Sequence, residues 1–298
     1  MNPIMQMEWL REGRGLRLTM TVVFYNSILA FITLLFMFFN TESFQEGYNY
    51  DTSAYLHQFL IVSSLQIASV LILTPMFLAS LYTVDQANRN FDQFAMFKNF
   101  PRQLITARIS LVVGMNMLLY ISSIPIISLS CVYSNLSLLK LIRLALVILF
   151  VSFWSGAVTI LCFSISKKIT SSLVGTAVVH LVFLGGTLLL MEIIRAGSAA
   201  VGGSMSIAVT NLCMLLAALN PVVAYVGFYG NITGETGLIE MYFGRFGIDP
   251  TGKTFSFIYY KLSIVLCVLV ALGLIAWAIY SQEKLRKRQN EFVEGKVI

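Results

Sequence analysis

Apolar runs long enough to span a bilayer recur along the chain, separated by short polar stretches. The first, residues 18–39, carries no charge. At about 1.5 Å per residue it reaches roughly 33 Å, enough to cross a hydrocarbon core of about 30 Å. The pattern predicts six helical spans at about 18–39, 55–82, 105–132, 141–165, 172–194 and 257–280. A barrel would show short alternating segments instead. The expected fold class is therefore an all-α integral membrane protein, with residues 1–298 forming one transmembrane domain.

The polar stretches predict the remaining parts. Residues 1–17 hold Ile4, Met5, Trp9 and Leu10 at helical spacing among Glu8, Arg11, Glu12 and Arg14. That suits a helix lying along the inner headgroups, its bases facing anionic lipid. Residues 83–104 are a polar segment between the second and third spans, and 281–298 a polar tail. Region 196–256 contains one more apolar segment, 205–228, which ends in Asn220-Pro221 and Gly227, residues that break helices.

Charge decides the orientation. With six spans and both termini inside, 14 of the 20 basic residues fall on the inner side, Arg11, Arg14, Arg17, Arg89, Lys98 and Arg102 among them. The first outer loop has Glu42, Glu46 and Asp51 and no base. This is the positive-inside pattern. A seventh crossing by 205–228 would put the basic tail Lys284–Arg288 outside, so that segment is expected to be re-entrant or to lie in the outer interface, packed on the bundle.

Composition agrees. The chain is 57% hydrophobic and 11% charged, against about 25% charged in a soluble globule. Cys131, Cys162, Cys213 and Cys267 all lie in apolar runs without metal-ligand spacing, so neither a disulfide framework nor a metal site is indicated.

Gly247-Ile248-Asp249-Pro250-Thr251-Gly252-Lys253-Thr254 matches the phosphate-loop pattern. That pattern binds nucleotide only between a buried strand and a helix N-terminus. Here no α/β strand precedes it and a span follows, so the match reads as coincidence and no nucleotide site is expected in this chain. No acid–base or metal set points to an enzyme. His180, in the fifth span, has a plain reading as a satisfied bundle histidine and a functional one as an intramembrane ionisable group. Glu192 and Arg195 are three apart at that span's outer end and can pair on one face. Ion-coupled carriers usually carry acidic or broken-helix sites near the midplane. With no such site convincing, the energy source is expected outside the chain.

The inner segment is where a soluble partner would act. Asn90 can cap a short helix on which Phe91, Phe94 and Phe97 recur every three residues, with Asp85, Arg89 and Asp92 beside them and Pro101-Arg102 after them. The aromatic stripe can plug a partner's groove or pack on the protein's own bundle, and the residues alone favour neither.

The order of these elements resembles the membrane subunits of ABC exporters of the six-span second permease type, the architecture shared with the G subfamily. Asn2-Pro3-Ile4 with Glu8 and Arg11 looks like that family's elbow helix. Asn90-Phe91-Asp92-Gln93-Phe94 looks like its Thr-Leu-acidic-x-Leu element, although Arg89 stands where glycine is common and Asn90 where threonine is. Pro101 and Arg108 fall where the family has a proline and a lysine. Ser123-Ile124-Pro125, Ser166-Lys167-Lys168 and Leu219-Asn220-Pro221 resemble its Ser-x-Pro, small-basic and Asn-Pro motifs.

The resemblance covers essentially the whole chain. It implies a permease in the bacterial cytoplasmic membrane, working by alternating access beside a second permease subunit, in a homodimer or heterodimer. Two separate ABC ATPase subunits would bind ATP and magnesium; this chain needs no cofactor of its own. The coupling contacts would be Asp85, Arg89, Asn90, Phe91, Asp92, Phe94, Phe97 and Arg102. His180, Glu192, Arg195, Asn220 and Pro221 would belong to the translocation path or outer gate. The dimer-facing spans would be the second and fifth, with Gly175, Gly185 and Gly186 allowing close approach, and Pro125 would let the third span bend. The cargo would be hydrophobic or amphipathic, whether peptide, lipid or drug, and the other partner is membrane lipid rather than nucleic acid. The alternative is an ATP-independent carrier, or an immunity or sensory membrane subunit.

Overall fold

A computed structural model of the chain describes residues 3–40, 52–87, 100–166, 168–200, 207–223, 225–226 and 253–293. These are helical, with no strand among them. The helices are α1 (Pro3–Gly13), α2 (Leu16–Asn40), α3 (Thr52–Ala87), α4 (Phe100–Tyr133), α5 (Leu139–Ile165), α6 (Ile169–Leu181), a π-helical turn (Val182–Gly186), α7 (Thr187–Ala200), α8 (Ile207–Ala218) and α9 (Lys253–Val293). Six stretches are long and apolar enough to cross a membrane: Leu16–Phe39, Tyr55–Val84, Pro101–Tyr133, Leu139–Ile165, Ile169–Ser198 and Leu262–Lys284. Each contains most or all of one span expected from the sequence. The chain is thus all-helical among the described residues and has the make-up of a polytopic membrane protein.

The polar borders moved. Helix α3 runs on to Ala87 and α4 begins at Phe100, so both ends of the predicted inner segment belong to long helices. The short helix expected before Pro101 lies outside the described residues. Pro101 itself sits in the first turn of α4. A missing N–H costs nothing there, because first-turn N–H groups have no helical partner anyway. Helix α8 has 12 residues, about 18 Å, too short to cross a bilayer alone.

The chain forms two compact units, residues 1–173 with 275–298, and residues 174–274. In the first, α4 is the hub and touches α1, α2, α3 and α5. Helix α5 is the most enclosed, with Leu144, Ile148, Trp154, Ala157 and Ile160 buried. Helix α2 leaves Phe24, Phe31, Leu34, Phe38 and Phe39 exposed, as suits a helix with lipid for solvent.

Polar side chains join the helices at successive levels. The carboxamide of Gln66 donates to Ser123 Oγ at 2.6 Å and that of Asn116 to Thr74 Oγ1 at 2.8 Å, between α3 and α4. Asn26 Nδ2 donates to Ser122 Oγ at 2.9 Å, from α2 to α4. Gln58 Nε2 reaches the Thr33 carbonyl, and the Tyr120 hydroxyl reaches the Leu141 carbonyl. Tyr55 stacks on Tyr133 at 5.1 Å between ring centres. Apolar packing between helices gains little where lipid is equally apolar, so such bonds carry the register. The turn from α4 to α5 uses Asn135 at φ 54°, a left-handed conformation that asparagine tolerates better than most residues.

In the second unit, Met191 of α7 packs with Cys213, Ala217, Ala218 and Val223 in one buried cluster, joined by Leu188, Ile194, Met214 and Leu266.

Candidate functional site

Two polar constructions stand out, one in each unit. The first lies where α1 crosses the bundle. The side of α1 that is turned inward is Ile4, Met5, Glu8, Arg11 and Glu12, with Glu8 fully buried, while Met7 and Leu10 are exposed. Helix α1 therefore presents a carboxylate to the helices it packs on, not only the apolar residues its sequence suggests. Glu8 Oε1 lies 3.5 Å from Nε of Arg108 on α4, and the two side chains are 2% and 0% exposed. The Arg108 guanidinium also sits 4.0 Å over the ring of Tyr82, near the end of α3. Tyr82 in turn stacks on Phe163 of α5, with ring centres 4.6 Å apart. Ala79, Ile169 and Leu173 pack around this pair. One residue after Glu8, Trp9 lies so close to Gly114 of α4 that a Cβ at that glycine would be 2.8 Å from the indole.

A buried ion pair needs good compensation, because each charge has lost its water. Arg108 gets it from a carboxylate and an aromatic face, whose quadrupole attracts cations. For Glu8, burial outweighs the attraction of Arg108 and Arg11 and raises its pKa above the ordinary 4.5. The result is a four-helix knot, with α1, α3, α4 and α5 joined through Glu8, Arg108, Tyr82 and Phe163.

The second construction is in residues 174–274. Within the fifth span the helix widens over Val182–Gly186, where the Thr187 N–H bonds the Val182 carbonyl, five residues back instead of four. The Phe183 carbonyl, bypassed by that N–H, accepts the Thr187 hydroxyl at 2.8 Å. Asn220, just past α8, donates from Nδ2 to the Leu184 carbonyl and to Thr187 Oγ1, both at 2.9 Å. Its Oδ1 accepts the Val222 N–H at 2.8 Å, and Pro221 occupies the first position of the new turn. This is an N-cap followed by its favoured proline. Gly185 and Gly186 lie in the widened turn; a Cβ at Gly185 would meet nothing within 4 Å, and at Gly186 its nearest contact would be Val182 of the same helix.

The predicted site residues divide as follows. Arg89, Asn90, Phe91, Asp92, Phe94 and Phe97 lie outside the described residues, as does 247–252 of the phosphate-like match. Asp85 has its backbone in the last turn of α3. Arg102 is exposed on the first turn of α4. Glu192 and Arg195 form the expected pair at 2.7 Å, more than a third exposed. Asn220 and Pro221 meet the widened turn of the fifth span. His180 is buried, and with Ser172 and Thr176 it lines one face of α6 at four-residue intervals.

Sequence reasoning missed Glu8 with Arg108, Ser172 with Thr176, and Thr187. The signals were present. Arg108 stands inside an apolar stretch, where an ionised side chain requires a partner. Ser172, Thr176 and His180 repeat at helical spacing. Among the described residues no group of three or more His, Cys, Asp or Glu side chains is placed to hold a metal ion. No family model, no curated protein and no solved structure matches this chain.

Proposed function

We propose that this chain is the membrane-spanning permease subunit of an ATP-driven exporter of the ABC second permease type, moving a hydrophobic or amphipathic cargo outward. The observation that carries the reading is the Glu8–Arg108–Tyr82–Phe163 knot. It fastens the amphipathic first helix to the ends of α3 and α4 that border residues 88–99. In this reading α1 is the elbow helix, 88–99 with its flanks is the coupling segment, and both lie inside by the distribution of basic residues. An ATPase pressing on that segment moves α3 and α4 together, and the knot carries α1 and α5 with them. Region 196–256 is the outer re-entrant region, and a second permease subunit completes the path.

The reading also fits the absence from the sequence of a convincing ion-coupling site, which leaves the energy to a partner. Its test is purification of the tagged chain from its native membrane in mild detergent. Two ATPase subunits and a second permease should accompany it, with ATP turnover that falls several-fold in Asp92→Ala and Phe94→Ala. Purification without any ATPase, or turnover unchanged in both variants, overturns the proposal. Orientation has its own test. A cysteine replacing Asp249 should react with an impermeant thiol reagent in intact cells, and labelling only after lysis overturns the assigned sidedness.

A further inference from the structure

Helix α8 ends among apolar side chains. The Leu215 and Ala217 carbonyls accept the Leu219 and Asn220 N–H groups, while those of Ala218 and Leu219 lie past the last helical donors. Side chains supply the donors. Ser263 Oγ of α9 donates to the Ala218 carbonyl at 2.9 Å, and Cys267 Sγ lies 3.5 Å from the same oxygen and 3.4 Å from that of Leu219. Ser263, Cys267 and Asn220 are all completely buried. The same helix packs on Met191 of α7 through Cys213, Ala217 and Ala218. Helices α7 and α8 and the part of α9 near Ser263 and Cys267 are therefore tied into one block by apolar packing and by bonds that cannot be exchanged for water.

This block continues into α6 through the widened turn Val182–Gly186. A π turn is one residue too many for an α-helix, and it is stable only where its displaced backbone groups find other partners. Here those partners are two side chains. The Thr187 hydroxyl takes up Phe183, and Asn220 reaches across from the end of α8 to Leu184 and Thr187. Every polar atom of the Asn220 carboxamide is committed. Its Nδ2 serves the turn and its Oδ1 receives the Val222 N–H. The bond pattern fixes the orientation of the amide, because the Leu184 carbonyl can only accept and the Val222 N–H can only donate.

We propose that the turn Val182–Gly186 is a hinge in the fifth span and that Asn220 is the clasp holding it in the widened form. With the clasp closed, Thr187 N–H reaches Val182 and the block sits at one angle to α6. With the clasp open, Thr187 N–H can fall back to Phe183, the turn tightens towards α-helix, and α7 rotates about its own axis with α8 attached. The clasp ties the end of α8 to the hinge in the fifth span, so a movement of α8 and a change of register in that span are one event. This goes beyond the exporter reading and does not depend on it, since no ATPase enters the argument or the test.

The test is amide hydrogen exchange of the full-length protein in lipid nanodiscs, read by mass spectrometry. Asn220→Asp keeps the acceptor for Val222 but removes both donors to the turn. Thr187→Val keeps the volume and removes the hydroxyl. Amides 183–190 should exchange at least about tenfold faster in either variant, with peptides of α3 and α4 unchanged. Deleting Gly186 removes the extra residue. Exchange across the turn should then fall below that of the parent protein, and adding Asn220→Asp should change nothing further. Unchanged exchange in Thr187→Val, or an Asn220→Asp effect that persists in the deletion background, overturns the proposal. If Asn220→Asp also loosens α3 and α4, the protein has unfolded generally and the Thr187→Val and deletion results decide.

Discussion

Glu8 and Arg108 are a hundred residues apart and meet in a buried pair, carboxylate oxygen to guanidinium nitrogen at 3.5 Å, with the arginine lying over Tyr82. The pair is the point at which α1, otherwise a short helix with a mixed face, becomes part of the bundle. Its energetics are lopsided. Two charges taken from water together roughly break even, whereas one left alone is expensive.

Removing either partner should therefore cost far more than removing both. Glu8→Ala or Arg108→Ala should destabilise the protein by about 3–5 kcal/mol, while Glu8→Leu combined with Arg108→Met should cost little or even stabilise. Thermal unfolding in detergent measures the three variants. If the double replacement is as damaging as the single ones, the pair is not isolated from its surroundings in the way its burial indicates.

The same pair gives a pH dependence with a definite sign. Burial raises the Glu8 pKa above 4.5, against the pull of Arg108 and Arg11. A carboxyl whose folded pKa is raised takes up a proton on folding. Its contribution is fully present below the unfolded value and is lost as pH rises through the folded value. Stability should thus decline across the window from 4.5 up to the raised pKa and level off above it. In Glu8→Gln that decline should be absent. Unfolding midpoints between pH 4 and 8 for the two proteins read it directly, and identical slopes would show that Glu8 does not titrate in this window.

Gly114 should be intolerant of substitution for a steric reason alone. A Cβ there would lie 2.8 and 3.0 Å from two atoms of the Trp9 ring. Gly114→Ala should cost about 1–3 kcal/mol by overpacking. Replacing the indole with a smaller ring, Trp9→Phe, should recover part of the loss in the double variant. An alanine as stable as the parent would show that α1 can shift along α4 and that the knot is looser than its distances suggest.

The six spans were legible because length and apolarity are local properties, read without knowing any contact. Arg108 and Glu8 were each visible as odd residues, one a charge in an apolar stretch and one a carboxylate on an amphipathic helix. What joins them is a helix crossing, which no local pattern encodes. The widened turn was hidden for a similar reason. Gly185-Gly186 reads as a place for close helix packing, and only the position of Asn220 shows what donor the Leu184 carbonyl uses. The Glu192–Arg195 pair was the easiest to foresee because its geometry is set within one helical turn. It is also worth the least, since exposed pairs contribute about 0–1 kcal/mol.

The polar level between Thr74 and Asn116 yields a last, asymmetric outcome. Asn116 Nδ2 donates to Thr74 Oγ1 at 2.8 Å, while Asn116 Oδ1 is buried with no donor among the described residues. Thr74→Val strips the carboxamide of its acceptor as well and leaves it wholly unpaired in an apolar interior, a cost of about 1–3 kcal/mol. Asn116→Leu removes the carboxamide altogether. The remaining Thr74 hydroxyl can turn back to the carbonyl four residues earlier, as helical threonines do. Asn116→Leu should therefore be the milder change, below about 1 kcal/mol, close to the average for interhelical bonds in membranes. Adding Thr74→Val to it should cost little more, so the two effects should not sum. Equal costs for the two single variants, or strict additivity in the double one, would mean that Asn116 finds another partner and that this level does not tie α3 to α4.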